Sequence, residues 1–398
     1  MKFGLENIST LCAALGHPER SFQSIHIAGT NGKGSVTAMV HQALVAAGHR
    51  SARYTSPHLE RLEERFVIGE HEVGSDELEV SARVVRDAIE RLQGSGAFEA
   101  PPTFFESVTA LAFELFRRGG VEVAVIEVGL GGRLDATNII VPIAAAITSI
   151  DFDHEAQLGH TVESIAFEKA GIVKPGLPVV CGPLRPDAEA VIARVCAERQ
   201  ARLIRFDDEE AIDGLVQQVA LGLRGAHQAI NARIAARLLH EVDRAGIAVD
   251  AGAIRSGLRD VAWPGRLERF DYHGTDVLID AAHNPAGAAT LAQYLRETGW
   301  SGCSLVFGAM QDKNVAAMLT ALAPVVGTVI ATTAPTPRAL DAEAAAAIAR
   351  SVPGAQWTVE SVVDPEAALT HASRNHLRVV VAGSIFLIGS LRGILRTR

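Results

Sequence analysis

An apolar strand pattern at 24–28 runs directly into Gly29-Thr30-Asn31-Gly32-Lys33-Gly34-Ser35, and a helix pattern follows from about residue 33 to 47, stopped by Gly48. Strand, glycine loop and helix in immediate succession leave few architectures open. Glycines let backbone N–H groups turn toward phosphate oxygens, and the first helical turn adds the positive end of its dipole. Lys33 can neutralise phosphate charge and a nearby hydroxyl can bind a divalent cation. The strict G-x-x-x-x-G-K-[ST] pattern is not met, because the glycine spacing is shorter and Gly34 separates Lys33 from Ser35. The loop is therefore a variant phosphate loop, set against the plainer alternative of a glycine-rich turn with a solvated lysine.

The same alternation continues. Runs at 121–128 and 143–150 are apolar and rich in β-branched residues, as suits strands buried on both faces. A helix around Ile165 and Ala166 ends at Gly171, Lys174-Pro175-Gly176 turns the chain, and 177–181 is the next strand. Pro101-Pro102 precedes a helix at about 105–118. Trp263-Pro264-Gly265 breaks the pattern, and the domain boundary is placed just after it, giving domains 1–268 and 269–398. Strands expected at 277–281, 303–308, 327–333, 355–360 and 378–382, with helices between, predict a second parallel sheet. The fold expected is α/β: an N-terminal P-loop-type parallel-sheet ATPase domain and a smaller C-terminal Rossmann-like domain.

Composition narrows the partners. A net charge of −9 supplies no domain-wide basic field, which argues against nucleic acid or an anionic membrane. The four cysteines form no C-x-x-C pair, and scattered cysteines in a chain of this length fit a reducing compartment. Met1-Lys2-Phe3-Gly4 opens no leader-like apolar run, and no stretch is long and apolar enough to span a bilayer, so a soluble cytoplasmic protein is expected. There is no G-x-S-x-G elbow, and the dinucleotide fingerprint is absent after the first strand.

Several polar residues stand at strand ends, where parallel α/β sheets place ligands. Glu127 ends the 121–128 strand, before Gly129-Leu130-Gly131-Gly132-Arg133. It is either an oxygen ligand for Mg2+ or a partner of Arg133. Asp151-Phe152-Asp153-His154 follows the 143–150 strand, and His154 is either a metal ligand or a hydrogen-bonded structural residue. Lys169 is either functional or half of a surface ion pair. Asp280-Ala281-Ala282-His283-Asn284-Pro285 ends the first strand of the second domain. Arg266 either reaches a phosphate with its planar fork or makes an interdomain salt bridge.

Taken together, these segments resemble the folylpolyglutamate synthase/dihydrofolate synthase family of the Mur ligase superfamily. The resemblance runs nearly the whole chain in order: Gly4-Leu5-Glu6, His26 to Ser35, Tyr54-Thr55-Ser56-Pro57-His58-Leu59 and Thr103-Phe104-Phe105-Glu106. Then come Glu127-Val128-Gly129-Leu130-Gly131-Gly132-Arg133-Leu134-Asp135-Ala136-Thr137-Asn138, Glu168-Lys169-Ala170-Gly171-Ile172, His227-Gln228-Ala229-Ile230-Asn231, Pro264-Gly265-Arg266 and Asp280 to Pro285. The resemblance implies an ATP-dependent ligase that adds L-glutamate to tetrahydrofolate, and also to dihydropteroate, through an acyl phosphate. It implies that Asn31, Gly32, Lys33 and Gly34 hold ATP phosphates, with Asn231, Arg266 and Asp280 as further nucleotide contacts and His283 beside them. Ser35, Ser56, Glu127 and His154 are the implied ligands of two Mg2+ ions. Lys169 matches a lysine carbamylated by CO2, and Lys33, Lys169 and His283 form the implied catalytic set. Thr103, Phe104, Phe105, Asp135, Ala136 and Thr137 match a pterin pocket. The partners implied are therefore small molecules (folate or pteroate, L-glutamate and ATP), and the oligomeric state implied is a monomer. Ala281 stands where the family usually has glycine, and Asn314 where a second aspartate is common. The rival readings are a Mur-type ligase acting on a peptidoglycan precursor, a P-loop ATPase without ligase activity, and a non-catalytic nucleotide-binding module.

Overall fold

Six strands of the first sheet run parallel, and the sequence shows why. The computed structural model describes residues 4–208 and 212–397, so the leader reading at Met1-Lys2-Phe3 falls outside the described residues. In chain order the first sheet contains β1 (Gln23–Ala28), β2 (Ser51–Tyr54), β3 (Phe66–Ile68), β4 (His71–Glu72), β5 (Val123–Glu127), β6 (Ala144–Ile147), β7 (Pro178–Cys181) and β8 (Arg202–Ile204). Their spatial order is β4-β3-β2-β5-β1-β6-β7-β8. The central strand β5 is buried at every residue, which its unbroken run of apolar residues requires. Only β3 and β4, at one edge, are antiparallel.

The second sheet contains β9 (Glu268–Tyr272), β10 (Thr275–Ile279), β11 (Cys303–Phe307), β12 (Val326–Ala331), β13 (Thr358–Ser361) and β14 (Arg378–Ala382), ordered β13-β12-β11-β14-β10-β9. The expected second parallel sheet is present in β10 to β14, and β9 adds an edge strand that the sequence reading did not name. β9 pairs antiparallel with β10. The two-residue turn His273-Gly274 joins them, and both residues have positive φ (54° and 82°). That is the primed turn that matches strand twist.

Each side of the first sheet is covered by helices. On one side, Tyr54 and Ile126 pack with helices Glu6–Ala14 and Phe104–Arg118. On the same side, Ala28, Ala145 and Ile147 pack with helices Val162–Ala170 and Pro186–Glu198. His26 is in register with Ile126 and Ala145, so it lies on the seam between these two clusters. Helix Lys33–Ala46 packs closely on helix Ala251–Asp260, where a Cβ on Gly257 would lie 2.5 Å from that of Ala43.

The chain divides into two compact units that are not continuous spans. The first comprises Met1–Asp151, Leu158–Gly222 and Gln228–Ala262. The second comprises Phe152–Gln157, Leu223–His227 and Trp263–Arg398. The single cut drawn after residue 268 from the sequence thus meets a chain that passes between the units at residues 151/152, 157/158, 222/223, 227/228 and 262/263. Among the described residues no helix is long and apolar enough to cross a membrane. All four cysteines are free and buried.

Candidate active site

In the first unit, the carboxyl ends of β2, β5, β1 and β6 lie side by side, and those of β2, β5 and β1 lead to residues singled out from the sequence. β1 ends at Ala28 and the loop to helix Lys33–Ala46 follows. The loop is fastened to the end of β6. Thr30 N donates to Ser149 O at 2.8 Å, Asn31 N donates to Ser149 Oγ at 3.0 Å, and Thr148 Oγ1 donates to Asn31 O at 2.6 Å. Space allows only glycine at its first position, because a Cβ on Gly29 would lie 1.9 Å from Thr148 Oγ1. At Gly32 the backbone is left-handed (φ 86°), and a Cβ would lie 2.5 Å from Asn231 Oδ1.

Two ammonium groups converge on this loop. Lys33 Nζ donates to Gly29 O at 3.0 Å and to Thr30 O at 3.2 Å. Lys169 Nζ donates to the same Gly29 O at 2.9 Å and is 4% exposed. The alternative of a surface ion pair for Lys169 is therefore removed. Helix Val162–Ala170 is pressed against the glycine loop after β5, and this packing places Lys169. Arg133 N donates to Glu168 O at 2.8 Å, and a Cβ on Gly132 would lie 2.9 Å from the carbonyls of Glu168 and Lys169.

Glu127, at the end of β5, is 5% exposed, and its Oε2 accepts from Ser56 N at 3.2 Å. It does not pair with Arg133, which instead bonds Glu168 through Nε (3.1 Å) and Nη2 (2.8 Å). Ser35 is 2% exposed, and its Oγ accepts from Gln228 Nε2 at 3.3 Å. Gln228 Oε1 in turn accepts from Asn231 Nδ2 at 2.9 Å. A helix thus links the expected nucleotide contact Asn231 to the expected metal ligand Ser35. Ser35, Ser56 and Glu127 are oxygen donors, the set Mg2+ prefers when it also keeps waters and phosphate oxygens. Among the described residues no group of three or more His, Cys, Asp or Glu could hold a metal by itself.

Of the expected acceptor residues, Phe105, Asp135 and Thr137 pack on or bond to the glycine loop after β5. Thr103 caps helix Phe104–Arg118: its Oγ1 accepts from Glu106 N at 3.2 Å and donates to Glu106 Oε2 at 2.8 Å. Phe104 is 63% exposed, with the Arg65 guanidinium 5.7 Å from its ring centre. Phe105 stacks on Tyr54 at 6.3 Å, and its ring fills the place of a Cβ on Gly129, 2.4 Å away. Ala136 is buried, and Asp135 and Thr137 are buried and bonded to each other and to the loop.

The second unit holds His154, Arg266, Asp280 and His283. Asp280 follows β10; its Oδ2 accepts from Leu267 N and its Oδ1 from Ala282 N, both at 3.0 Å. Arg266 Nη1 donates to Gly265 O at 3.3 Å. His227 lies near both. Burial pushes its pKa down and the Arg266 charge adds to this, while Asp280 opposes it. His283 Nδ1 faces Ala281 O at 2.8 Å and its Nε2 faces Asp153 Oδ2 at 3.4 Å.

Asp153 and Lys313 carry no role in the sequence reading, yet they organise this unit. Lys313 Nζ bonds Asp153 Oδ1 at 2.5 Å, and both side chains are 8% exposed. Asn284 Nδ2 donates to Asp153 Oδ2 at 3.2 Å while its Oδ1 caps helix Pro285–Glu297. His154 N donates to Asp153 Oδ1 at 2.9 Å, and His154 itself is left-handed (φ 51°), a strained backbone for a non-glycine residue. Burial raises the Asp153 pKa. The His283 hydrogen bond and the charges of His283, Lys313 and His154 outweigh burial and hold the carboxyl well below the usual range.

A glycine loop between strand and helix at the carboxyl end of a parallel sheet, in a chain that also carries a second α/β unit, is the architecture of an ATP-dependent ligase of the Mur type. The family model for the "Mur ligase, glutamate ligase domain" matches residues 265–385. The folylpolyglutamate synthase of Lacticaseibacillus casei is 35% identical, over 98% of this chain and 93% of that one. The dihydrofolate synthase/folylpolyglutamate synthase of Mycobacterium tuberculosis is 36% identical, over 98% and 89%. The M. tuberculosis folylpolyglutamate synthase solved with ADP superposes with a TM-score of 0.90 at 34% identity, covering 98% of this chain and 94% of that chain. E. coli FolC solved with DHPP and ADP gives 0.87 at 29% identity, covering 100% and 94%. The chain belongs to the folylpolyglutamate synthase/dihydrofolate synthase family.

Proposed function

We propose that this enzyme joins L-glutamate to the carboxylate of a folate-type acceptor, taking both tetrahydrofolate and dihydropteroate, in the cytoplasm and as a monomer. The observation that carries the reading is Lys33 Nζ on the Gly29 carbonyl of the glycine loop that opens helix Lys33–Ala46, beside the strand that ends in Glu127. An ammonium group over a glycine loop at a helix start favours polyanionic phosphate at that point.

A carboxylate acylates an amine poorly in water, so it must be activated. The acceptor carboxylate oxygen attacks the γ-phosphorus of ATP, the bond to the β–γ bridging oxygen breaks, and an acyl phosphate and ADP result. The amine of glutamate then attacks the acyl carbon, phosphate leaves, and the ammonium proton passes to solvent or base. Lys33 stabilises charge on the transferring phosphoryl group. Asn31, Gly32 and Gly34 cradle the phosphates, while Asn231, Arg266 and Asp280 hold the nucleotide with His283 beside them. Ser35, Ser56, Glu127 and His154 are the residues that would hold two Mg2+ ions, which supply charge neutralisation on the phosphates. Lys169, buried beside the loop, is the residue proposed to take up CO2 as a carbamate and so to present an anion instead of an ammonium. Thr103, Phe104, Phe105, Asp135, Ala136 and Thr137 line the acceptor side.

The test is an ATP- and glutamate-dependent assay with each acceptor, product mass being measured. Lys33→Ala should abolish product while circular dichroism stays unchanged; undiminished ligation by that variant sinks the assignment. Protein equilibrated with 13C-bicarbonate should show a carbamate carbon resonance that Lys169→Met lacks. Its absence from the unsubstituted protein refutes the carbamate.

A further inference from the structure

One buried group is not used by the mechanism above. His26 is fully buried in the middle of β1, on the seam between the two core clusters beneath the first sheet. Its Nε2 lies 2.9 Å from Thr137 Oγ1. Thr137 Oγ1 has one proton and gives it to Asp135 Oδ1 at 2.5 Å, so at the histidine it accepts. The network therefore assigns the Nε2–H tautomer. The remaining ring nitrogen, Nδ1, is buried and has no hydrogen-bond partner among the described residues. A leucine of similar size would leave no such atom unsatisfied, so packing alone does not call for a histidine here.

The imidazole delivers one N–H to one hydroxyl, and what lies beyond that hydroxyl gives the delivery its purpose. Asp135 Oδ1 also accepts from Thr137 N at 3.0 Å, and its Oδ2 accepts from Leu130 N at 2.8 Å. Leu130 sits in the glycine loop that follows Glu127, next to Gly129, whose missing Cβ leaves room for the Phe105 ring. The chain His26–Thr137–Asp135–Leu130 thus runs from the strand that feeds the phosphate loop to the loop on the acceptor side.

We propose that His26 is a positioning residue, which through Thr137 and Asp135 fixes the 129–137 loop in the shape that receives the acceptor. The inference rests on the ligase reading above. His26 touches neither substrate, and its effect reaches the acceptor only through the loop. The nucleotide side is fastened separately, by the bonds from Thr148 and Ser149 to the phosphate loop.

The experiment compares His26→Leu, His26→Met and His26→Gln with the unsubstituted enzyme. It measures KM for the acceptor the enzyme uses, kcat, and ADP affinity by calorimetry. Leucine keeps the volume and removes the donor, whereas glutamine returns an amide N–H at similar reach. His26→Leu should raise the acceptor KM about tenfold or more and leave ADP affinity within about twofold, and His26→Gln should recover most of the loss. An unchanged acceptor KM in His26→Leu overturns the proposal, as does a parallel loss of ADP affinity or a folded glutamine variant that recovers nothing. If His26→Leu does not fold, His26→Met, of similar volume and likewise without an N–H donor, decides in its place: a raised acceptor KM with ADP affinity kept supports the strut and an unchanged KM refutes it. An unsubstituted enzyme that ligates neither acceptor refutes the proposed function instead, which keeps the two failures distinct.

Discussion

Acidification should weaken the first unit through two histidines held neutral inside it. Burial, with a smaller push from the Lys174 charge, lowers the His26 pKa to about 3. His41, in helix Lys33–Ala46, is lowered to about 4 by burial and then by Arg53, although its Nε2 bonds Gly69 O at 2.8 Å and its Nδ1 faces Ser51 Oγ at 3.0 Å. Both start from 6.5 in the unfolded chain. Between those values the unfolded chain binds a proton that the native state refuses. Stability is therefore complete above about pH 6.5 and lost as pH falls toward the folded values. One pK unit is worth about 1.4 kcal/mol, so at pH 5 each histidine removes about 2 kcal/mol and the pair about 4 kcal/mol. Asp153 has the same sign in a lower window: its folded pKa is depressed, so its contribution is kept above about the ordinary carboxylate range and lost as pH falls below it. Urea unfolding at pH 7, 6 and 5, followed by far-UV circular dichroism, measures the effect. Trp263, Trp300 and Trp357 all lie in the second unit, so tryptophan emission follows that unit separately. Replacing either histidine by leucine should reduce the pH slope by about 1.4 kcal/mol per unit. A double variant with the slope of the unsubstituted protein between pH 7 and 5 refutes the reasoning.

Asp153→Asn strands the buried Lys313 ammonium and should cost about 3–5 kcal/mol in tryptophan-monitored unfolding; an unmoved midpoint contradicts the clamp. Gly171→Ala places a Cβ 2.3 Å from Arg133 Cα. The forced shift should cost about 1–3 kcal/mol and lower the melting temperature, and a melting curve that does not move argues against this packing. Gln228→Leu removes the donor to Ser35 Oγ. It should raise the Mg2+ concentration for half-maximal activity by about tenfold, and an unchanged requirement rules out orientation of Ser35 by Gln228.

What the sequence showed was local. The phosphate loop was legible because its strand, glycines and helix adjoin, and Glu127 because it stands at the end of a conspicuous apolar run. β9 was not found, although Arg269-Phe270-Asp271-Tyr272 alternates as an edge strand should. Its turn is His273-Gly274 in place of the commoner Asn-Gly, and β9 lies just beyond the domain break. β3 and β4 are three and two residues long, too short to show a period. The Asp153–Lys313 bond joins positions 160 apart, and nothing in either neighbourhood announces the other. The same distance problem hid the strut, since His26 and Thr137 are 111 residues apart. The pairing of Arg133 with Glu168 was likewise invisible, so Glu127 was offered a partner it does not have.

The second unit borrows Phe152–Gln157 and Leu223–His227 from upstream of its main span, Trp263–Arg398. Modules in sequence and modules in space therefore part company here. A fragment beginning at Trp263 would carry the whole of the matched 265–385 segment, yet would leave behind the aspartate that neutralises Lys313 and the histidine beside Asp280. The C-terminal span is thus no freely exchangeable cassette: any graft onto another ligase must bring two short segments from elsewhere, or find a host that already supplies their charges.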